Sequence, residues 1–451
     1  MSITLRMDRL PLGRFHWKLL LVTGLGSTFR SVNIGVVAYV LASLISDWNL
    51  SSAEAGAVAS TGIAGMVLGV ALVGALADRF GRKLIFEATF VLFGIGALLS
   101  GISWSLPSLL FFRFVAGIGL GGGSPPVLTL VSELSPSRHR GLMMLLLEGF
   151  WVIGSSLAAL LAALVIPSLG WRMAFLVGAI PLLYVVVMQW LLPESPRFLL
   201  GKGRVREAEE TVRKIERECG VEPEDGIEVE SSPRSLSADG AARAAPRRAR
   251  LTDLFSGIYL KRTACIWILW AVVCYCYYGV YMWLPSLVVS AGFSMFDSFT
   301  LMFFVTLAQL PGCVFGALLV DRIGRKRTLV PSLLLCGISS YLFSLWASAQ
   351  SILIFGSLIS FFLLGAWGIM TTFTAELYPT RLRSTGVGWA GALGRLVGVA
   401  APMATGLIVS QTGGGYGPVF LSFALILLLG GLSVAFLGEE TMGQSLERLS
   451  T

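Results

Sequence analysis

Four ionisable side chains stand inside long apolar runs of this sequence: Arg30, Arg113, Glu148 and Arg395. A charge deep in hydrocarbon costs about 3 kcal/mol or more, so such residues are read first as parts of a solute or ion path. Helix rise, about 1.5 Å per residue, gives their depth. Arg30 lies twelve residues beyond Lys18 and Arg395 twelve beyond Arg383, which lifts both about 18 Å above the basic layer at the helix ends, near mid-bilayer. Trp151 and Gln309 fall within about 2 Å of that level, Tyr277 a few Å higher and Trp367 slightly below it. Tyr277 and Tyr281 are spaced i and i+4, on one helix face, and Asn33 shares the first span with Arg30. Two guanidiniums can grip a carboxylate through directed N–H donors while flat aromatic rings stack on an apolar ring. The layer therefore reads as an organic-anion site of Arg30, Asn33, Trp151, Tyr277, Tyr281, Gln309, Trp367 and Arg395.

Plainer readings stand beside this one. Glu148, about 12 Å above the basic layer, reaches Arg30 if the first and fifth spans are neighbours, which would make a structural ion pair. Arg113, about 30 Å above Glu133, is too far from Glu148 to pair with it. Glu148 is the remaining candidate proton carrier, because His16 and His139 fall at the helix ends. Single aromatics, Trp283 above all, are commonly packing or interface residues.

The elements that must hold this layer follow from composition. Hydrophobic residues make up 55% of the 451, charged residues 13%, and mean hydropathy is +0.78, which excludes an ordinary soluble domain. Apolar runs near 17–46, 56–77, 84–103, 107–131, 141–166, 172–193, 261–290, 298–320, 328–349, 352–375, 384–410 and 416–437 predict twelve transmembrane helices. The net charge of +8 is banded between alternate spans, which argues against nucleic acid and, by the positive-inside rule, places both termini in the cytoplasm. No cleavable signal peptide is expected, the first apolar stretch being long enough to stay as a span. The expected organisation is an N-terminal six-helix bundle over 1–194, a cytoplasmic linker over 195–260 and a C-terminal six-helix bundle over 261–451. In the linker, Val205, Ala208, Val212 and Ile215 predict a short amphipathic helix, and 220–250 reads as a flexible tether. The six cysteines lack metal-ligand or pairing spacing. No nucleophile–base, metal or phosphate-loop pattern appears, so neither an enzyme nor a cofactor is expected, and the glycine run 119–123 reads as helix packing.

The halves repeat. Asp78-Arg79-Phe80-Gly81-Arg82-Lys83 returns as Asp321-Arg322-Ile323-Gly324-Arg325-Lys326, and Glu133-Leu134-Ser135-Pro136 through Arg140 returns as Glu376-Leu377-Tyr378-Pro379 through Arg383, both at an offset of 243 (321 − 78 and 376 − 133). Two matches at one offset indicate duplication, an architecture that sets a solute site at midplane. Acids and bases so spaced can form a conformational latch of Asp78, Arg82, Glu133 and Arg140 with Asp321, Arg325, Glu376 and Arg383.

The stretch Gly74 to Lys83, with its weaker copy Gly316 to Lys326, resembles the signature of the major facilitator superfamily. Pro193-Glu194-Ser195-Pro196-Arg197 and Glu440-Thr441-Met442-Gly443 resemble motifs of its sugar porters and organic-ion transporters. Within that group Trp283-Leu284-Pro285-Ser286, Thr306 to Gly312, Leu364 to Gly368 and Gly394 to Gly398 are most similar to bacterial niacin and aromatic-acid transporters, relatives of the organic anion transporter branch. The resemblance implies a small organic carboxylate as substrate and, for Arg113 in the fourth span, a role in coupling or in helix packing. Those relatives carry acids in the first span where this chain has Arg30 and Asn33, which sets proton coupling apart as a separate question. The expectation is a monomeric secondary transporter in a prokaryotic plasma membrane, moving an aromatic or nicotinate-like anion by alternating access with H+ as a possible partner. A proton-independent exchanger or uniporter, a neutral sugar or polyol carrier, and a solute-sensing receptor are the alternatives.

Overall fold

The computed structural model describes residues 3–136, 138–222, 251–346, 348–378, 380–413 and 415–442. All regular structure among them is helical. The chain runs α1 (Ile3–Arg9), α2 (Arg14–Asp47), α3 (Ser52–Phe80), α4 (Arg82–Gly101), α5 (Leu106–Gly122), α6 (Ser124–Leu134), α7 (Arg140–Val177), α8 (Pro181–Leu191), α9 (Pro196–Gly201) and α10 (Val205–Glu218). After a 3₁₀ turn at Leu251–Phe255 come α11 (Ile258–Ser290), α12 (Met295–Leu307), α13 (Gln309–Ile323), α14 (Arg325–Leu345), α15 (Ala349–Glu376), α16 (Thr380–Gln411) and α17 (Tyr416–Leu437).

Among the described residues eleven segments are long and apolar enough to cross a bilayer, and one of them, Arg140–Leu191, has 52 residues. At about 1.5 Å per residue it is more than twice the roughly 30 Å hydrocarbon thickness. Gly170, at φ 80 and ψ 167, folds it back on itself, so twelve crossings result, as the apolar runs predict. The fourth and eighth crossings are each two helices meeting at a bend, α5–α6 at Gly123 and α12–α13 at Ala308.

The same pairings recur in each half. α2 lies along α7 as α11 lies along α16, and α3 packs on α5 as α13 packs on α15. The glycine run lets α4 and α5 approach closely: a Cβ on Gly119 would stand 2.6 Å from the Thr89 carbonyl oxygen. The expected amphipathic helix is α10, which buries Ala208, Val212 and Ile215. It is clamped to α1 by a buried two-pronged Arg6–Glu216 pair (2.8 and 2.6 Å) and to α2 by Lys18–Glu218 (2.9 Å). The expected tether falls mostly on residues outside the described ones.

Where the halves meet decides which end of the molecule is shut. One buried apolar cluster joins Val36 to Leu44, Ala158 to Ala163 and Trp171 of the first half to the second-half core. Near the basic loops the first half has a separate cluster, built on Phe15, Phe86, Phe90, Leu130 and Leu147, with no second-half member. Direct contacts agree: Tyr39 meets Phe299 edge-on at 5.1 Å, Ser43 Oγ reaches Met295 Sδ at 3.8 Å, and a Cβ on Gly56 would stand 2.8 Å from the Pro402 carbonyl oxygen. The halves are thus fused at the end remote from the basic loops.

Candidate substrate site

At the level where this fusion begins, a cavity of about 50 Å³ opens between the halves. Its first-half wall is a stripe of α2, Ser31, Ile34, Gly35, Ala38 and Tyr39, with Trp151 and Ser155 of α7. The second half supplies Tyr277, Tyr278, Tyr281 and Met282 of α11, Thr306 of α12 and Gln309, the first residue of α13. Every lining side chain is neutral.

The aromatic wall is continuous. Tyr277 lies 4.8 Å from Tyr281, 5.5 Å from Tyr278 and 5.2 Å from Trp367, ring centre to ring centre, and Trp270 backs Trp367 at 6.2 Å. The Tyr281 hydroxyl donates to Ser360 Oγ at 2.8 Å and is also bonded to the Gln309 side chain, while the Trp151 side chain bonds the Tyr277 hydroxyl. Gln309 Oε1 is buried with no partner among the described residues. Such an acceptor costs about 1–3 kcal/mol unless something occupies it.

Arg30 belongs to a second cavity, about 60 Å³, lined also by Ser27, Ser124, Leu147, Glu148 and Trp151. Its Nε and Nη2 donate to the Leu120 carbonyl oxygen at 3.0 and 2.6 Å, and Nη2 also donates to Ser124 Oγ. Glu148 attracts its charge from across the cavity, without an ion pair within 4 Å among the described residues. The guanidinium lies 5.8 Å from the Trp151 ring. Trp151 is common to both cavities: the indole is the partition between a neutral aromatic chamber and the buried Arg30, with the exposed Glu148 on the same side as Arg30.

The remaining sequence candidates are distributed around these chambers. Asn33 points away, its amide donating to the Gly178 carbonyl oxygen at 2.6 Å. Trp367 stands one ring behind the cavity, and Arg395, half-buried, lies next to Cys274 and Tyr278 with its Nη1 turned towards Gly391. Arg113 is buried over the Phe175 ring at 5.3 Å, with Nε and Nη1 lacking acceptors among the described residues. Ser31, Ser155, Tyr39, Tyr278 and Thr306 were not singled out from sequence; the α2 members at 31, 34, 35, 38 and 39 share one helix face, but α2 is apolar all round and its sequence does not mark that face.

At the basic end the duplication is visible atom by atom. Gly81 and Gly324 both adopt φ 113 between consecutive helices, a backbone that favours glycine. Beyond Gly81 the N–H groups of Arg82 and Lys83 donate to Glu194 (3.0 and 3.2 Å), and beyond Gly324 those of Arg325 and Arg327 donate to Glu440 (2.9 and 3.2 Å). A carboxylate at a helix start satisfies orphan N–H groups and the dipole together. Arg82 Nε lies 3.5 Å from Glu133, which takes the Ser195 hydroxyl; Arg325 pairs with Glu376 at 2.9 Å, which takes the Thr441 hydroxyl at 2.6 Å. Arg140 instead meets Asp8 at 3.3 Å. The side chains of Asp78, Asp321 and Arg383 lie outside the described ones. Glu194 and Glu440 stand in the quoted motifs, but sequence reasoning gave them no task. Burial pushes the Glu440 carboxyl up, yet N–H donors from Met442, Arg327, Arg325 and Thr441 outweigh it and hold it below the usual carboxylate value.

Twelve membrane crossings in two like halves around a midplane chamber define a membrane transporter of the major facilitator fold, and not an enzyme. More narrowly, the chain belongs to the sugar (and other) transporter family, whose profile matches residues 20–451. It is 41% identical over 450 residues to the niacin transporter NiaP of Acinetobacter baylyi, covering 100% of both chains. It is 35% identical over 430 residues to the putative niacin/nicotinamide transporter NiaP of Bacillus subtilis, covering 95% of this chain and 98% of that one. The inward-open structure of the xylose transporter XylE from E. coli shares the fold, with a TM-score of 0.77 at 20% identity over 96% of this chain and 99% of that one.

Proposed function

We propose that this chain carries a small aromatic carboxylate of the nicotinate kind across a bacterial plasma membrane by alternating access. The observation that carries the reading is the Trp151 partition. The substrate ring stacks in the chamber of Trp151, Tyr277, Tyr278 and Tyr281, hydroxyl and amide groups including Gln309 orient it, and Arg30 behind the indole supplies the positive field. Arg395 approaches from the second half when the chamber closes. The niacin named for both relatives supports this substrate class. Both termini and the basic loops face the cytoplasm, so the state described opens inward. Glu148, facing Arg30, carries a proton on each cycle, and the Glu133 and Glu376 networks hold each half rigid while the two rock.

The test is uptake of labelled nicotinate into proteoliposomes. Trp151→Ala is expected to cut uptake at least tenfold with insertion unchanged; uptake at the parent rate would remove the partition from the mechanism. Glu148→Gln is expected to abolish stimulation by an inward proton gradient, and retained stimulation would assign coupling elsewhere. The wholly neutral lining favours one second reading, a polar uncharged solute such as a sugar or polyol. Competition decides it: excess benzoate displaces nicotinate under the first reading, excess hexose under the second.

A further inference from the structure

A third pocket lies away from the transport path, at the basic end of the first half, where α2, α4, α8 and α10 meet. It has a volume of about 180 Å³, and its wall includes Lys18, Lys83, Lys214, Glu218, Gln189 and Trp190. Three ammonium groups arrive from three different helices. Lys18 is opposed by Glu218, and Lys83 donates to the Gln189 carbonyl oxygen at 2.6 Å with Glu87 at 3.9 Å behind it. Lys214 is exposed and has no hydrogen-bond or ion-pair partner among the described residues. Each ammonium has three N–H donors, so the pocket retains unused donors and excess positive charge.

What the pocket opens onto identifies its occupant. Leu183, Val186, Val187 and Trp190 of α8 are 75%, 57%, 39% and 80% exposed. Their i, i+3, i+4, i+7 spacing is one apolar stripe, facing hydrocarbon in a membrane protein and ending at Trp190 on the rim of the lysine pocket. A soluble phosphate would have no use for the stripe. A phospholipid uses both, its phosphate among the ammonium groups and its acyl chains along α8. We propose that this pocket is a binding site for one anionic phospholipid.

The second half provides an internal control. Its corresponding groove holds Lys326, Arg327, Glu439 and Glu440, with Lys326 Nζ donating to the Gly438 carbonyl oxygen at 2.9 Å as Lys83 does to Gln189, and with Phe436 76% exposed. There acids equal bases in number, and among the described residues no helix stands where α10 brings Lys214. One site per chain is therefore expected, not two.

Native mass spectrometry of the full chain with dioleoyl phosphatidylglycerol or phosphatidylcholine tests this. One tightly held phosphatidylglycerol is expected, weakened about fivefold by each of Lys18→Gln and Lys214→Gln, strengthened by Glu218→Gln, and unchanged by the paired Lys326→Gln, Arg327→Gln control. Inorganic phosphate and glycerol 1-phosphate at equal concentration should not displace it. Equal retention of phosphatidylglycerol by the Lys18 and Lys214 variants overturns the proposal, and displacement by free phosphate reassigns the pocket to a soluble anion and also overturns it. Phosphatidylcholine binding as tight as phosphatidylglycerol would likewise refute it.

Discussion

The two halves repeat one another closely at the basic end and differ most at the midplane. Gly81 and Gly324 share one φ, Glu194 and Glu440 cap the helices that follow, and Glu133 and Glu376 each tie an arginine to a hydroxyl. Halfway through the membrane that correspondence is gone. Arg30, Arg113 and Glu148 are all in the first half, whereas the second half contributes rings, Tyr277, Tyr278, Tyr281, Trp270 and Trp367, with Arg395 beside them. Rigid-body rocking needs two similar frames, but recognising a solute with one charged and one flat face needs two different walls. Duplication supplied the first requirement and divergence the second.

The comparison breaks hardest at Arg30. Replacing it with alanine takes the buried donor away from the Leu120 carbonyl oxygen and the Ser124 hydroxyl, so the expected stability loss is about 1–3 kcal/mol, read by thermal unfolding in detergent. Nicotinate uptake should fall at least a hundredfold. Glu148 is exposed, so adding Glu148→Gln should restore neither the stability nor the uptake. Recovery of both would make the couple purely structural. On the second-half wall, Arg395→Ala should leave the unfolding midpoint in place while lowering uptake about tenfold; parent uptake would remove Arg395 from the site.

A smaller effect is expected at Gln309. Its Oε1 has no partner among the described residues while its side chain also bonds the Tyr281 hydroxyl, so Gln309→Leu relieves a buried acceptor, loses one hydrogen bond and should change stability by no more than about 1 kcal/mol. It should weaken nicotinate binding, measured by calorimetry, by about tenfold. A stability loss without an affinity change would place Gln309 in packing.

Depth was legible in the sequence; azimuth was not. Counting residues from the basic loops brought Trp151, Gln309 and, a few Å higher, Tyr277 to a similar level, with Tyr281 on the same face one turn along, and all four line one cavity. Arg30 and Asn33 were at that level too, yet the inward stripe of α2 is 31, 34, 35, 38 and 39, and both residues fall off it, towards α5–α6 and Gly178. A helix apolar on all sides carries no periodic signal for which face looks inward, so only the folded partners choose the rotation. The duplication was plain from two matches at one offset, but the carboxylates capping α4 and α14 come from motifs more than a hundred residues away, linked by backbone geometry that no pattern of side chains records.

The smallest expected effect tests whether those two matching caps act separately. Glu440 is held below the ordinary carboxylate value by backbone N–H donors acting against its burial. A group whose pKa is depressed on folding stabilises the protein above its unfolded pKa, and that contribution is lost as pH falls through the folded value. Acidification below about 4.5 should therefore loosen the start of α14, and hydrogen exchange of the Arg325 and Arg327 amides should rise there by a few-fold. In Glu440→Gln the amide oxygen still accepts but no longer titrates, so protection should be lower throughout and independent of pH in this range. Glu194→Gln should leave the α14 amides at parent protection while lowering it at Arg82 and Lys83. If either substitution loosens both helix starts equally, the latches are not two separate devices but one, coupled across the halves.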